Sequence, residues 1–270
     1  MLSLWGIAAG PAKAQTDLPD SLQWALVATF VQARALAVDL QGHLYVADAG
    51  RHVIVRLSPD RQAEAILGGP GSGPGQFDTP VALHVGGGLM LWVAEAGNHR
   101  LQQLTWQGAP LEVVPLPEGI TPEGIYAQGR QLWVLDAKGA ALWKRLSDGR
   151  WQKIAQMAHQ PVALTPGRRG QLLVAEAGQN RVLAYDALGI LERPWIEGLP
   201  ATPRALTSRG DTLWMVLDRR LYRYTPGAGL EEWQTTMPDV IGIAVHRGIV
   251  YVLTPTHLYR SHQFNTPGRR

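Results

Sequence analysis

Ala82-Leu83-His84-Val85, a glycine-rich gap, then Leu91-Trp92-Val93-Ala94-Glu95-Ala96-Gly97: this stretch returns along the whole chain. Upstream it reads Ala35-Leu36-Ala37-Val38 with Leu44-Tyr45-Val46-Ala47-Asp48-Ala49-Gly50. Downstream it reads Gly124-Ile125-Tyr126-Ala127 with Leu132-Trp133-Val134-Leu135-Asp136-Ala137, then Ala163-Leu164-Thr165 with Leu172-Leu173-Val174-Ala175-Glu176-Ala177-Gly178. Two weaker copies follow, Ala205-Leu206 with Leu213-Trp214-Met215-Val216-Leu217-Asp218, and Gly242-Ile243-Ala244-Val245 with Val250-Tyr251-Val252-Leu253-Thr254. The bulky position recurs at 45, 92, 133, 173, 214 and 251, in steps of 47, 41, 40, 41 and 37 residues. A fixed period of this size marks a repeat architecture, so the repeat is read before any single motif.

Inside each unit the pattern is β. Apolar runs of four to six residues alternate with Gly, Pro, Asp and Asn turns, and no stretch holds a helical period. Four short strands with their turns fill about 40 residues, the size of one propeller blade. The units therefore predict an all-β, six-bladed β-propeller of four-stranded antiparallel blades. Small residues (Ala35, Ala82, Gly124, Ala163, Ala205, Gly242) fit where innermost strands crowd the axis. The next column, Leu36, Leu83, Ile125, Leu164, Leu206 and Ile243, is always branched and apolar and should fill space between blades. Tyr45, Trp92, Trp133, Trp214 and Tyr251 should pack between neighbouring blades. Unit six runs out near Phe264 with room for three strands, so Trp24-Ala25-Leu26-Val27-Ala28-Thr29-Phe30 is expected to complete it and close the ring.

Composition agrees. The 270 residues include 30 Gly, 19 Pro and 10 Trp, and no Cys, which excludes disulfides, thiolate metal sites and a cysteine nucleophile. Net charge is +3, from 25 basic and 22 acidic residues, without a basic run, so nucleic acid is not an expected partner. Leu2 to Ala9 is apolar and Ala12-Lys13-Ala14 has the small-x-small form read by signal peptidase. We therefore expect residues 1–14 to be a signal peptide, 15–264 one propeller domain and 265–270 a tail. The mature protein is expected to be exported, monomeric and without a membrane span, since spanning takes about 20 apolar residues.

Gly71-Ser72-Gly73-Pro74-Gly75-Gln76-Phe77-Asp78-Thr79-Pro80, followed by Val93-Ala94-Glu95-Ala96-Gly97-Asn98-His99-Arg100-Leu101, closely resembles the NHL repeat. Ala47-Asp48-Ala49-Gly50-Arg51-His52 and Ala175-Glu176-Ala177-Gly178-Gln179-Asn180-Arg181-Val182 are similar to the same motif. Unit three matches in part, and units five and six have lost the Ala-Gly-Asn loop. The resemblance spans most of residues 24–264 and implies a six-bladed propeller. It also implies a family known mainly for binding proteins and nucleic acids, with some members and neighbouring families acting as amidating lyases and lactonases. Such a resemblance leaves activity open.

The chemistry motifs are mostly negative. The Gly-rich run 68–75 lacks the phosphate-loop spacing, having Pro74 and Gln76 near where the last Gly would fall, and reads as a connection between blades. The acidic column Asp48, Glu95, Asp136, Glu176 and Asp218 gives way to Thr254 in unit six. Arg100 and Arg181 follow Glu95 and Glu176 by five residues, so these carboxylates are expected to tie down their own loops rather than form a cation ring. His84 and Tyr126, in matching columns of adjacent inner strands, are weak metal candidates; no metal or cofactor is otherwise expected.

Residues that break a repeated column carry more information. The position before the small column holds Arg34, Val81, Glu123, Val162, Arg204 and Ile241, at the central mouth of one face. Arg34 and Arg204 come from blades flanking blade six, and two guanidiniums over an apolar ring suit a carboxylate, a phosphate or an acidic peptide. Alternatively they bridge to Glu123 and plug the channel. Arg51, His52, Asn98, His99 and Asn180 belong to loops of the same face. The expected function is recognition of a protein, a peptide or a small anionic ligand at this funnel. The alternative is a propeller enzyme, a lyase or lactonase, with a metal-assisted site at the axis.

Overall fold

The computed structural model describes residues 24–60, 63–86, 90–129, 131–234 and 239–262. Twenty-four strands form six antiparallel four-stranded sheets among these residues, with one short 3-10 turn at Arg168–Gly170. Blade 1 begins with Ala33–Val38, blade 2 with Pro80–Gly86, blade 3 with Pro122–Gln128, blade 4 with Pro161–Pro166, blade 5 with Pro203–Arg209 and blade 6 with Gly242–His246. Each of these strands touches the equivalent strand of the next blade, and the last touches the first. The ring is closed, and these six strands surround its axis. No described helix is long and apolar enough to cross a membrane.

Closure comes from the chain's N-terminal strand. Trp24–Thr29 pairs antiparallel with His257–Ser261, so blade 6 takes three strands from one end of the chain and its outermost from the other. Val27, Ala28 and Phe30 pack on the cluster joining blades 6 and 1, and Trp24 packs on the cluster joining blades 5 and 6. An open ring would leave strand edges unpaired there. The expected signal peptide, Phe264 and the tail lie outside the described residues.

The core is a set of six clusters, one at each junction between blades. Tyr45 packs with Leu91 and Val93 of blade 2, Trp92 with Leu132 and Val134 of blade 3, and Trp133 with Leu172 and Val174 of blade 4. Leu173, Trp214 and Tyr251 do the same at the remaining junctions. Burying a large side chain contributes about 1.5–3 kcal/mol, so this column alone fastens each blade to the next. The small column explains how the blades approach. A Cβ on Gly124 would lie 3.1 Å from Leu164 of the next blade, and one on Gly242 would lie 3.5 Å from Leu36. The branched column packs in these junctions and also lines the axis.

The acidic column anchors loops in three blades and pairs with an arginine in a fourth. Asp48 accepts the N–H groups of Val31 and Gln32, and Asp136 those of Thr121 and Gly139. Glu95 is fully buried and accepts from the Asp78 N–H, Asn98, Arg100 and Gln102. Arg100 in turn donates to the carbonyls of Ser72, Gly73 and Gln76, clamping the glycine-rich connection between blades 1 and 2. Glu176 accepts from Arg181 through one oxygen, and its other oxygen has no partner. Blade 5 departs from the expected column. Pro203 pairs with Leu217, so Leu217 holds the column position and Asp218 lies one residue beyond it. The cause is a shorter turn: Leu217 pairs with Arg220 across two residues, where blades 1 to 4 use four.

Candidate functional site

Five innermost strands share an irregularity that the repeat pattern does not announce. Pairing with the second strand slips between Ala33 and Ala35, Pro80 and Ala82, Pro122 and Gly124, Pro161 and Ala163, and Pro203 and Ala205. The skipped residues are Arg34, Val81, Glu123, Val162 and Arg204. Each is the extra residue of a β-bulge, a device that bends a strand and re-aims a side chain. Proline precedes the bulge in four of the five blades; in blade 1 the equivalent Ala33 N–H donates to the Pro255 carbonyl and not to the second strand, so proline is accommodated here without loss of a ladder hydrogen bond. Blade 6 pairs Gly242 with Leu253 and continues in register, with Ile241 donating its N–H to the Leu253 carbonyl.

Arg34, Glu123 and Arg204 are brought together around one cavity of about 530 Å³ at this mouth, with Gln32, Gln160 and Ile241 also in its wall. A cavity of about 120 Å³ lies deeper, floored by the branched column. Arg34 reaches across from blade 1 to within 4.0 Å of Glu123 in blade 3, both side chains being about two-fifths exposed (42% and 40%). Arg204 lies 4.0 Å from Asp218 of its own blade, with both more than half exposed. These are long, solvated ion pairs, a class worth about 0–1 kcal/mol. The mouth therefore carries two half-exposed guanidiniums and two half-exposed carboxylates over an apolar floor.

The remaining expected ligand residues lie in the loops between second and third strands and do not line these cavities. His52, His99 and Asn180 have left-handed backbones, with φ of 55°, 49° and 47°. The His99 and Asn180 carbonyls accept the N–H groups of Leu116 and Leu199, fastening the following connection between blades. His52 Nδ1 accepts the Thr79 N–H at 3.1 Å and lies 3.4 Å from Asp78. The Asn98 amide donates to Glu95 and to the Gly71 carbonyl. Arg51 is exposed, its N–H turned to the Asp48 carbonyl. Asn and His tolerate the left-handed region better than most residues, a signal present in the sequence for these turns.

His84 and Tyr126 meet edge to face, 5.0 Å between ring centroids. Burial pushes the His84 pKa down to about 4, partly opposed by a hydrogen bond with the Ala127 backbone. The Tyr126 hydroxyl donates to Gln128, and burial raises its pKa. His84 lines a different cavity from Glu123, on the far side of the branched column. His84 and Tyr126 thus do not converge with Glu123, and no three His, Asp or Glu among the described residues are placed to hold a metal ion.

No family model matches the chain. It is 28% identical over 183 residues to NHL repeat-containing protein 3 of Mus musculus, an alignment covering 62% of this chain and 51% of the relative. The Homo sapiens protein of that name is 28% identical over 170 residues, 57% of this chain and 49% of the relative. The chain thus spans about half the length of these curated relatives. Among solved structures, a gluconolactonase from Xanthomonas campestris superposes with a TM-score of 0.72 at 14% identity, covering 90% of each chain. A virginiamycin B lyase from Staphylococcus aureus superposes with a TM-score of 0.63 at 18% identity, covering 86% of this chain and 81% of the lyase. At such identities the likeness is one of fold. Repeats and ring closure agree: the chain is a six-bladed β-propeller, and its similarity to NHL repeat-containing proteins is consistent with an NHL-repeat propeller family.

Proposed function

We propose that the chain is an exported recognition module whose funnel face binds the carboxylate of a peptide, a protein segment or a small anionic ligand. The observation that carries this reading is the placement of Arg34 and Arg204 on bulges around a cavity of about 530 Å³. That volume lies within the range of about 300–1,000 Å³ usual for ligand pockets. Among the described residues both guanidiniums have only long, solvated partners, so a ligand carboxylate can replace Glu123 or Asp218 at little cost. A guanidinium binds carboxylate in a two-pronged geometry that a 4.0 Å contact does not use. Glu123 and Asp218 then accept donors from the same ligand, which suits a peptide better than a simple anion. The balanced net charge of +3 supports a local polar site over a nucleic-acid stripe.

The enzymatic alternative draws on the lyase and lactonase names of its structural neighbours. Its metal-assisted form does not fit this chain's residues, because Glu123 and His84 lie on opposite sides of the axial ring. The test is a titration of peptides with a free C-terminal carboxylate, of their amidated forms, and of small dicarboxylates. Loss of charge-assisted hydrogen bonds costs about 1.5–3 kcal/mol. Arg34→Ala/Arg204→Ala should therefore weaken the carboxylate ligands at least ten-fold. Equal binding of carboxylate and amide forms, or binding indifferent to the double variant, would overturn the proposal.

A further inference from the structure

The turns joining first to second strands and third to fourth strands stand on the face opposite the funnel. Across blades 4, 5, 6 and 1, which are consecutive round the ring, they carry a distinct surface. Arg168 and Arg169 lie on the inner turn of blade 4, Arg209 beside that of blade 5 and Arg247 on that of blade 6. Arg169, Arg209 and Arg247 are exposed. Burial first, then the charges of Arg209 and Arg247, hold the His246 pKa low, which places both guanidiniums near one blade junction. The carboxylates of these turns are engaged: Asp211 faces Arg168, Asp186 accepts the Leu188 and Ile190 N–H groups, and the buried Asp39 accepts those of Gly42 and His43. Arg169 and Arg247 have left-handed backbones, with φ of 52° and 46°, each followed by a glycine of positive φ. Asn or Gly forms such turns more easily, so arginine at these two tips points to a use beyond the turn itself.

Apolar tips flank this basic arc. Leu188 and Leu40, 71% and 64% exposed, are the most exposed large apolar side chains among the described residues, and Ile190 is 60% exposed. Their turns are rigid, because Asp186 and Asp39 each fix two N–H groups of the turn that follows them. Gly189 packs closely on Ile154 and Trp133, and a Cβ on Gly42 would lie 3.0 Å from the His246 imidazole of blade 6. The leucines are therefore held out in water rather than folded back. We infer that this face docks on an anionic lipid bilayer, with Leu40, Leu188 and Ile190 entering the headgroup region and Arg169, Arg209 and Arg247 resting on lipid phosphates. Separate apolar tips on either side of a positive arc suit a soft, continuous surface, whereas a protein partner needs a matching pocket for each tip. Such attachment needs no membrane-spanning segment.

The test is co-sedimentation of the full chain with vesicles of phosphatidylcholine alone, and with vesicles of equal parts phosphatidylcholine and phosphatidylglycerol. Each arginine near an anionic surface is worth about five-fold in affinity, so anionic vesicles should bind about a hundred-fold more tightly than neutral ones. Raising salt from about 0.1 M to about 1 M shortens the screening length from about 10 Å to about 3 Å and should remove most of this preference. Arg169→Asn/Arg247→Asn should weaken binding to anionic vesicles about thirty-fold without lowering Tm, since Asn tolerates the left-handed backbone. Leu40→Ser/Leu188→Ser should weaken it about ten-fold or more at either salt concentration. Val31→Ser, 62% exposed but at the funnel face, and Arg34→Ala/Arg204→Ala should change nothing. Near-ultraviolet circular dichroism checks folding, and the asparagine variant carries the test if the Leu40/Leu188 variant misfolds. Equal binding to both vesicles, or binding indifferent to the asparagine variant or to the Leu40/Leu188 variant, would overturn the inference. Absence of vesicle binding would also overturn it and leave this face to an acidic protein. Loss with Val31→Ser or with Arg34→Ala/Arg204→Ala would overturn it by placing the lipid contact on the funnel face.

Discussion

Glu95→Ala should be among the most damaging single substitutions on the funnel face, although Glu95 touches no cavity there. The carboxylate is fully buried and accepts from four donors, the Asp78 N–H, Asn98, Arg100 and Gln102. Its removal leaves the Arg100 side chain, 10% exposed, without its counter-charge. Breaking a buried pair by deleting one partner costs about 3–5 kcal/mol. Arg100 keeps its carbonyl partners Ser72, Gly73 and Gln76, which places the expected loss near the lower end, at about 3 kcal/mol. For a domain of this size each kcal/mol shifts Tm by about 2–4 °C, so the drop should be about 6–12 °C. Glu176→Ala is the internal control. Glu176 has a single partner, Arg181, which is 27% exposed and can turn to water, and one of its oxygens is already unpaired. Its loss should cost about 1 kcal/mol or less, which is about 4 °C at most. Calorimetric unfolding of both variants reads the difference. A shift under about 2 °C for Glu95→Ala, or a larger shift for Glu176→Ala, would refute the assignment of this column to loop anchoring.

Three further outcomes are expected. Gly68 has φ of +78°, and an added Cβ would lie 2.3 Å from the buried Phe77 ring and 2.8 Å from the Gly75 carbonyl oxygen. Gly68→Ala should therefore lower the unfolding free energy, read from denaturant titration, by about 2–4 kcal/mol, whereas Gly69→Ala, with nothing within 4 Å, should not. The unfolded His84 imidazole takes up a proton near pH 6.5 and the folded one only near 4, because burial opposes the charge. Stability should thus fall as pH drops through that window, by at most about 1.4 kcal/mol per pH unit from this group. His246, held low by burial and then by Arg209 and Arg247, adds a slope of the same sign. His84→Phe should remove its share, and an unchanged pH slope would contradict the account. The proposed export predicts a mature chain that begins at Gln15, and N-terminal sequencing that finds Met1 retained would remove export from the proposal.

The architecture was legible because each blade repeats the same packing problem. A bulky residue between blades, a small one beside the neighbour's Leu, and a carboxylate at the loop recur with the period of the fold, so the columns could be read without coordinates. The closing strand was legible from arithmetic, since blade 6 lacked one and Trp24–Thr29 had no other blade to join. Asp218 stands four residues after Trp214, where the other units place the column residue three after the bulky position, so its offset can be counted in the sequence; the two-residue turn of blade 5 is what the structure adds. The site was half legible. That Arg34, Glu123 and Arg204 interrupt an apolar column is plain in the sequence. That each occupies a bulge is not, since Pro-x-small is also an ordinary start to a strand. His52, His99 and Asn180 looked like ligands because they are polar and near that face. Their left-handed turns are signalled by the residue types themselves, but their backbone partners depend on where the next connection passes, and only the folded chain fixes that.

Arg34 and Arg204 are proposed to form a carboxylate site at the funnel. It is tested most directly by a crystal structure of the chain with a bound peptide ending in a free carboxylate. The carboxylate should lie on Arg34, Arg204 or both, with the 4.0 Å contact between Arg34 and Glu123 opened to admit it. A peptide seated on the outer strands or at the opposite mouth, with Arg34 still facing Glu123, would contradict it.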